Sequence, residues 1–283
     1  FVIQVIIDMY DQSKESEMSI SFMEGMLMAF QDTSFQSKFE FQFFDDKHSS
    51  EAMSSVLRAI QNDSFDILIG PALKVNISRL SKYAEENQIT HISPFSPSQS
   101  ASQGNPKYYM AEPPLIQHIR TILQYGIDSI QDVNLKFFYH SNHSGKEYAN
   151  SVAKYLDDYN DRLSLEDKIK YSNIALKNDD FIESFSLDQY IEESEHNLLI
   201  VNSFNENFIH HFLSQAAPFQ EDTNLTIFGM PGWEEIETIR LEYINGSKIH
   251  FTQSYWMDDD NKHIVNFIAK YQDKYFQGFL LFL

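Results

Sequence analysis

FDILIGPALKVNISRLSKYAEENQITHISPFS, residues 65–96, is the stretch that decides the predicted fold. Residues 65–69 form an apolar run rich in strand formers, and Gly70-Pro71 ends it because proline cannot continue a central strand. A helical pattern follows, with apolar residues on roughly one face: Val75, Ile77, Leu80, Tyr83 and Ala84. A second short run, 90–92, ends at Ser93-Pro94. This order of strand, helix and strand predicts a right-handed crossover between two parallel strands.

The loops after these two strands are the first candidate ligand-binding segments. In open parallel sheets, ligands bind beyond the carboxyl ends of the strands. The loop after the first strand contributes Ala72, and the loop after the second contributes Ser93, Phe95 and Ser96. A second interpretation of Phe95 stays open, in which its ring fills a crevice that binds no ligand.

The composition limits the class of protein. With 283 residues, of which 42% are hydrophobic, the chain can form one large α/β domain or two smaller lobes with separate cores. Its 21 basic and 41 acidic residues give a net charge of -20, which repels nucleic acids and anionic lipid surfaces. We therefore expect no nucleic-acid partner. The absence of cysteine excludes disulfide bonds, a thiolate nucleophile and cysteine-ligated metals.

Neither end of the sequence predicts a membrane segment. No apolar run approaches the roughly 20 residues that span a bilayer. Residues 1–7 already have the pattern of a buried strand with no signal peptide before it, as expected of a mature domain. The apolar run 279–283 has no element after it, so we expect the domain to be truncated at this end.

Strands and helices alternate along the chain. In the first part, strands are predicted at 1–7, 39–44, 65–69 and 90–92, with helices at 19–30 and 51–61 and the helix already described. After Pro113-Pro114, helices are predicted at 115–125, 146–159, 181–193 and 207–216, and strands at 135–139, 169–174, 197–201 and 225–228. An extended run, 248–256, then leads back to a helix at 263–275.

This alternation predicts an α/β protein of two lobes with mostly parallel sheets. Residues 1–113 plus 257–283 form the first lobe, and residues 114–256 form the second. Pro113, Pro114 and Tyr255 lie where the chain crosses between them, so they are the predicted hinge.

Two crevice loops, a proline crossover and a second lobe of the same design resemble the type I periplasmic binding protein fold. The particular resemblance is to the branched-chain amino-acid and amide receptors of ABC transport, the Leu/Ile/Val-binding-like proteins. It is carried by residues 22–26 (FMEGM), 66–71 (DILIGP) and 89–94 (ITHISP). The resemblance implies two Rossmann-like three-layer lobes joined by a hinge, a solute-binding function, a permease partner, and a location in the periplasm or cell envelope.

The second half resembles a Bacteroidota subgroup of this family that is often joined to LysM modules. The matching segments are 227–233 (IFGMPGW), 251–258 (FTQSYWMD) and 265–271 (VNFIAKY). This subgroup implies a peptidoglycan-associated partner.

The sequence departs from the amino-acid receptors at three points. Phe95, Ser96 and Pro97 stand where those receptors place small residues and threonine to hold a carboxylate. Their acid near the crossover falls at or near Pro114, and their second-lobe acid, in a Gly-Pro-Glu loop, is represented here by Gly229-Met230-Pro231. Without those acids, a closed crevice would leave the ammonium of an amino acid unpaired, at a cost of several kcal/mol. The ligand therefore stays open between an amino-acid-like molecule and a cell-wall fragment.

Polar and aromatic residues after other predicted strands complete the candidate ligand site, because strand ends in a parallel sheet share one edge. They are Tyr10, Asp11, His140, Asn142, Ser203, Asn205, Met230 and Trp233. For Tyr10 and Asp11 the alternative is a surface turn, and for His140, Asn142, Ser203 and Asn205 the alternative is an ordinary loop residue. Trp233 is either a stacking wall or a core residue.

Signals for metal binding and catalysis are absent from the sequence. Among ten histidines, His140 and His143 are spaced for a loop chelate, but no His-Glu-x-x-His occurs and no carboxylate completes a ligand set. Nucleophile-elbow, phosphate-loop and dinucleotide-binding motifs do not occur either. We predict no cofactor, no metal and no enzymatic activity.

Two functions remain. The first is an extracytoplasmic solute-binding protein whose lobes close over a small polar ligand. The alternative is a cell-envelope interaction or scaffold domain that keeps the fold without a small ligand.

Overall fold

The computed structural model describes residues 2–9, 14–31, 39–71, 74–97, 105–130, 132–176, 185–219, 224–236, 249–255, 257–258 and 260–275. The first elements in chain order are β1 (Val2–Ile7), α1 (Lys14–Gln31), β2 (Glu40–Asp45), α2 (Ser50–Ile60), β3 (Ile67–Ile69), α3 (Lys74–Glu86), β4 (Thr90–Ser93) and β5 (Tyr108–Met110). The later ones are α4 (Leu115–Ser129), β6 (Val133–His140), α5 (His143–Asn160), β7 (Lys170–Leu176), β8 (His196–Asn202), α6 (Glu206–Ala216), β9 (Leu225–Gly229), β10 (Ile249–Phe251) and α7 (Lys262–Tyr275).

The chain divides into two compact units. The first comprises Phe1–Pro114 and Tyr255–Phe282, and we call it the first lobe. The second, Leu115–Ser254, is the second lobe. The chain therefore enters the second lobe directly after Pro114 and leaves it at Ser254.

The sheet of the first lobe is parallel, with the strand order β2-β1-β3-β4-β5 among the described residues. β1 has the sequence VIQVII and is buried on both faces, as a central strand covered by helices must be. Ile6 packs with Met53 and Val56 of α2, whereas Val5 lies in a cluster with Phe22 of α1. Helices thus cover both faces of the sheet.

The sheet of the second lobe is also parallel, with the order β10-β9-β8-β6-β7. One apolar cluster forms its core around β6, β8 and β9. Aromatic rings contribute much of it, and the centroids of Phe138 and Phe212 lie 5.2 Å apart in an edge-to-face arrangement.

Both lobes have the same topology. In each, the first strand lies between the second and third strands of that lobe, and the later strands follow outward in sequence. The order in which strands are added across the sheet therefore reverses between β1 and β3 in the first lobe and between β6 and β8 in the second. These switch points are where ligands bind in open α/β sheets. The predicted fold class of two α/β lobes with parallel sheets is confirmed.

Two details of the sequence interpretation are wrong. The helix predicted at 181–193 starts outside the described residues, and from 185 onward its only helical turn is the 3-10 helix Leu187–Tyr190. There Ser186 hydrogen-bonds to Asp188, and the Gln215 side chain accepts a hydrogen bond from the Leu187 amide at 2.7 Å. Such side-chain bonds compete with helix formation.

The second error concerns Val75, which is 49% exposed although Ile77, Leu80 and Ala84 of the same helix are fully buried. Residues two positions apart do not share a helical face, so Val75 and Ile77 cannot both face the sheet.

Helix α7 packs on α1 within the first lobe. The Tyr271 hydroxyl donates a 2.7 Å hydrogen bond to Glu24 Oε2, and Phe267 lies beside Gly25. In the described part of the chain, none of the helices has the length and apolar composition that a membrane crossing requires.

Candidate functional site

Two predicted site residues meet at the switch point of the second lobe. His140 ends β6, and Ser203 directly follows β8, which pairs with β6 in parallel. Their side chains are hydrogen-bonded, with 2.8 Å between His140 Nε2 and Ser203 Oγ. The backbone amide of Asn205 also donates to Ser203 Oγ, at 3.2 Å. The structure thus brings His140, Ser203 and Asn205 together at one edge of the sheet.

The two predicted asparagines cap helices. Asn142 Oδ1 accepts a 2.8 Å hydrogen bond from the Gly145 amide at the start of α5, and Asn205 Oδ1 accepts one of 2.9 Å from the Phe208 amide at the start of α6. A cap satisfies only part of the amides of a first helical turn, and a helix N-terminus carries partial positive charge. Two such termini follow the adjacent strands β6 and β8. Because α6 begins with Glu206 and the first turn of α5 has no acidic residue, the start of α5 is the end that favours an anionic or strongly polar group.

Gly145 allows α5 to start close to the end of β6. A Cβ atom at this position would lie 1.9 Å from the backbone oxygen of His140. Any other residue would displace the first turn of α5 from the His140 carbonyl, and with it the capping bond of Asn142.

Phe204 was missed by the sequence analysis. It lies between Ser203 and Asn205 and is 60% exposed. A large apolar ring exposed in a polar strand-end loop is a surface that an apolar part of a ligand can contact. The available signal was a phenylalanine inside an otherwise polar loop.

Met230 and Trp233 are buried rather than exposed. Both belong to the core cluster of the second lobe, and Trp233 is 2% exposed. The Trp233 indole N–H donates a 3.0 Å hydrogen bond to the backbone oxygen of Ser203. In this arrangement Trp233 lies in the core and holds the backbone of the loop that carries Ser203.

In the first lobe, the loop after β4 is mostly packed. The Ser93 side chain is fully buried, and burial raises the pKa of the Tyr108 phenol in the neighbouring strand. Phe95 is half-buried and meets Phe22 of α1 edge-to-face, with 5.0 Å between ring centroids. Ser96 is buried as well. Tyr10, Asp11 and Ala72 lie outside the described residues.

The same edge of the first lobe holds two buried acids, Asp8 and Asp46, which the site prediction did not include. Burial raises the pKa of Asp46, and Asp8 adds to the rise. A 2.8 Å hydrogen bond from Asn76 Nδ2 to Asp46 Oδ2 opposes it. Since the His48 amide also donates to Asp46, this carboxylate organises the loop after β2.

The predicted hinge residues lie where the chain passes between the compact units. Pro113 and Pro114 are half-buried between β5 and α4. The Tyr255 hydroxyl donates a 2.9 Å hydrogen bond to the backbone oxygen of Pro94. Burial raises the pKa of Tyr255 to about 12, and the nearby Glu112 carboxylate contributes.

Within the described ranges, no group of three or more histidine, aspartate or glutamate side chains could hold a metal ion. His143, considered with His140 as a chelate, instead lies 3.4 Å from Glu147 one turn along α5.

No protein-family model matches the sequence, and comparison with curated proteins gives no significant match. Solved structures match along almost the whole chain. The branched-chain amino acid ABC transporter periplasmic ligand-binding protein of Burkholderia xenovorans is 11% identical, with a TM-score of 0.71 over 98% of this chain and 72% of that one. An ABC transporter substrate-binding protein of Desulfitobacterium hafniense in complex with Leu is 14% identical, with a TM-score of 0.62 over 98% and 77%.

A third similar structure is an ABC transporter solute-binding protein of R. palustris in complex with benzoate. It is 16% identical and has a TM-score of 0.53 over 98% of this chain and 74% of that one. At these identities the likeness concerns the fold. The chain therefore has the two-lobe α/β fold found in the substrate-binding proteins of ABC transporters.

Proposed function

We propose that this protein is an extracytoplasmic solute-binding receptor of the ABC-transporter type, which binds a small polar ligand and catalyses no reaction. The observation that carries the proposal is the hydrogen-bonded pair of His140 and Ser203 at the switch point of the second lobe. Polar groups at this point of an α/β sheet are placed to contact a ligand.

The charge at the start of α5 supports a ligand with a carboxylate. The loops 141–142 and 203–205 and the first turn of α5 contain no acidic residue, whereas Glu206 in the first turn of α6 opposes an anion at that helix end. An amino-acid-like molecule and a cell-wall fragment both carry carboxylates, and the similar structures include complexes with Leu and with benzoate. The exposed Phe204 would contact the apolar part of such a ligand.

In the first lobe, the proposed ligand contacts are Phe95, Ser96 and the loop residues Tyr10, Asp11 and Ala72. Closure of the lobes over the ligand would use Pro113, Pro114 and Tyr255 as the hinge. Contacts made only in the closed form would then favour closure.

The resemblance also supports the remaining assignments. We place the protein in the periplasm or cell envelope, with a membrane permease as its partner, and the LysM-associated subgroup adds a peptidoglycan-associated partner. The alternative of a scaffold without a ligand rests on the packing of Phe95 against Phe22. The solute-binding function of the similar structures does not favour it.

Native mass spectrometry of the freshly purified protein tests the proposal, with a denaturing run to identify any released molecule. Calorimetric titrations with L-leucine, benzoate and a muramyl dipeptide follow. We expect His140→Ala to weaken binding of the active probe by roughly ten- to hundredfold, since it removes a hydrogen bond to a charged group. The exposed His263→Ala in α7 is the control. If the mass spectrum shows no bound molecule and no probe gives a heat of binding, the scaffold function would replace the solute-binding one.

A further inference from the structure

The second lobe has a cavity at the edge of its sheet opposite to the candidate ligand site. Its volume is about 680 Å³, within the range of small-molecule pockets. Val133 begins β6, Lys170 begins β7 and Glu195 directly precedes β8, and all three line the cavity. The amino ends of parallel strands share one edge of the sheet, whereas His140 and Ser203 lie at the carboxyl ends. The cavity is therefore separate from the proposed solute site.

The apolar residues of the lining are buried or half-buried. They come from the end of α4, from α5 and the loop after it, and from the start of β6: Ile127, Ile130, Val133, Tyr159, Leu163 and Ile169. Ile127, Ile130 and Ile169 pack against the core of the second lobe. Because most of these side chains are only partly covered, a hydrocarbon group in the cavity would bury apolar surface that water now contacts.

The charged residues of the lining, which we call the rim, are mainly acidic. Four acids and two lysines give it a net charge of -2: Asp132, Glu166, Asp167, Glu195, Lys168 and Lys170. Lys170 pairs with Glu195, so these two charges cancel. Asp132 and Glu166 are exposed and form no ion pair with another residue of the described ranges. The net charge of -20 on the whole chain has the same sign and adds to the attraction of cations.

Hydrogen bonds fix the wall of the cavity between α5 and β7. Asn160 Nδ2 donates to the backbone oxygen of Ile169 at 3.0 Å, and Asn160 Oδ1 accepts from the Ile169 amide at 2.8 Å. The Ser164 hydroxyl donates to Asp167 Oδ2 at 2.7 Å. The loop between the helix and the strand is thus held at its far end and within its turn. A wall that is already held costs less to order when a ligand binds.

We propose that this cavity is a second binding site, which takes a small organic cation with an ammonium group joined to a hydrocarbon part. The carboxylates of Asp132 and Glu166 pair with the ammonium, and the half-buried Ile130 and Ile169 cover the hydrocarbon. Tyr159 adds an aromatic ring to the lining, and the faces of such rings attract ammonium groups. An anion of the same shape is repelled by the rim. The site goes beyond the proposed solute binding and does not depend on it.

Three probes with the same hydrocarbon chain test the preference for a cation: hexylamine, hexanol and hexanoate. Each is titrated into the natural protein and followed by amide shifts in ¹⁵N–¹H NMR spectra. We expect hexylamine to bind most tightly and hexanoate most weakly. Added salt should weaken the binding of hexylamine and leave that of hexanol unchanged. Equal affinities for the three probes, or no binding of hexylamine, would overturn the proposal.

Variants of the rim test its two unpaired carboxylates. Asp132→Asn and Glu166→Gln each remove one charge from an exposed position, and asparagine tolerates the φ of +52° at residue 132 as aspartate does. We expect each variant to weaken the binding of hexylamine by about two- to fivefold. Asp128→Asn, exposed on α4 but outside the lining, is the matched control and should keep the affinity. Unchanged affinity in both rim variants, or an equal loss in the control, would contradict the site.

The positions of the shifted amides separate this site from the proposed solute site. Hexylamine should shift amides in residues 163–170, which form one wall of the cavity. Shifts confined to residues 140–145 would place the amine at the solute site and overturn the proposal. Failure of every solute probe to bind would refute the solute site alone, because the hexylamine titration involves no residue of that site.

Discussion

The imidazole of His91, in β4, donates a hydrogen bond from Nε2 to the backbone oxygen of Gly70 at the end of β3, across 2.6 Å. The Gly70 amide in turn donates to the Ile92 oxygen at 2.9 Å. Both bonds join the carboxyl ends of neighbouring strands, so they hold the end of β3 at Gly70. His91 is fully buried, and burial lowers its pKa to about 4.

The stability of the protein should therefore depend on His91 in mildly acidic solution. The unfolded chain binds a proton at this histidine near its ordinary pKa of 6.5, whereas the folded protein does so only near 4. The His91 contribution is thus complete above pH 6.5 and is lost progressively as the pH falls toward 4. Between about pH 7.5 and about pH 5, we expect a loss of about 2 kcal/mol.

Urea unfolding of His91→Gln at the same two pH values measures this term, because glutamine keeps a donor for Gly70 and does not titrate. The variant should lose less unfolding free energy on acidification than the natural protein. An equal loss in both proteins would contradict the assignment. The exposed His263→Gln should behave like the natural protein.

Gly70 should tolerate no side chain. Its φ is +96°, and a Cβ atom would lie 1.9 Å from the backbone oxygen of Ile6. We expect Gly70→Ala to lower the unfolding free energy by at least about 2 kcal/mol. In the control Gly25→Ala, the added methyl group has its nearest neighbour at 3.9 Å inside helix α1. That variant should be stabilised by about 0.5 to 1 kcal/mol, and a similar loss in both would argue against the steric explanation.

Asn142 and Asn205 allow helix capping to be separated from ligand binding. Replacement of either by alanine should cost about 1 kcal/mol of unfolding free energy. Asn142→Asp should keep the cap and hence the stability, because aspartate is an equally good N-cap. Its added negative charge should weaken binding of a carboxylate ligand by several-fold, measured by calorimetry. Unchanged affinity in Asn142→Asp would place the ligand carboxylate elsewhere.

Tyr271 should retain its proton in strongly alkaline solution. Burial and the hydrogen bond to Glu24 raise the pKa of Tyr271 to about 12, so its contribution to stability is present below pH 10 and is lost as the pH rises toward 12. Tyr271→Phe should remove part of the phenolate absorbance that develops near pH 12 and cost about 1 kcal/mol at neutral pH. Tyr109→Phe, which loses an exposed hydroxyl, should leave the stability unchanged.

Most of the fold could be predicted because its signals are local. The apolar runs that became β1, β3 and β4 are short and are ended by polar residues or by Gly70-Pro71, so neighbouring residues alone define them. The meeting of His140 and Ser203 was also predictable, since parallel strands bring their carboxyl ends to one edge. The prediction for Val75 was wrong because its apolar character alone placed it on the buried face. Its angular position around the helix axis puts it on a different face from Ile77.

The roles of individual site residues were less predictable. Asn142 and Asn205 follow strands, as ligand-binding residues would. Because a helix begins at the next residue in each case, their side-chain oxygens instead accept hydrogen bonds from backbone amides of that helix. The sequence around Trp233 is the same whether the ring faces solvent or the core. The ring is buried in the core cluster of the second lobe, where the absence of a side chain at Gly229 leaves room for it.

The sequence by itself determined the alternation of strands and helices and the two-lobe α/β class, because hydrophobic periodicity acts through near neighbours. The tertiary structure decided which side chains face one another: His91 and Gly70 are 21 residues apart, and His118 and Thr252 are 134 apart. Such pairs depend on strand order and helix placement over the whole lobe. No local pattern in the sequence encodes them.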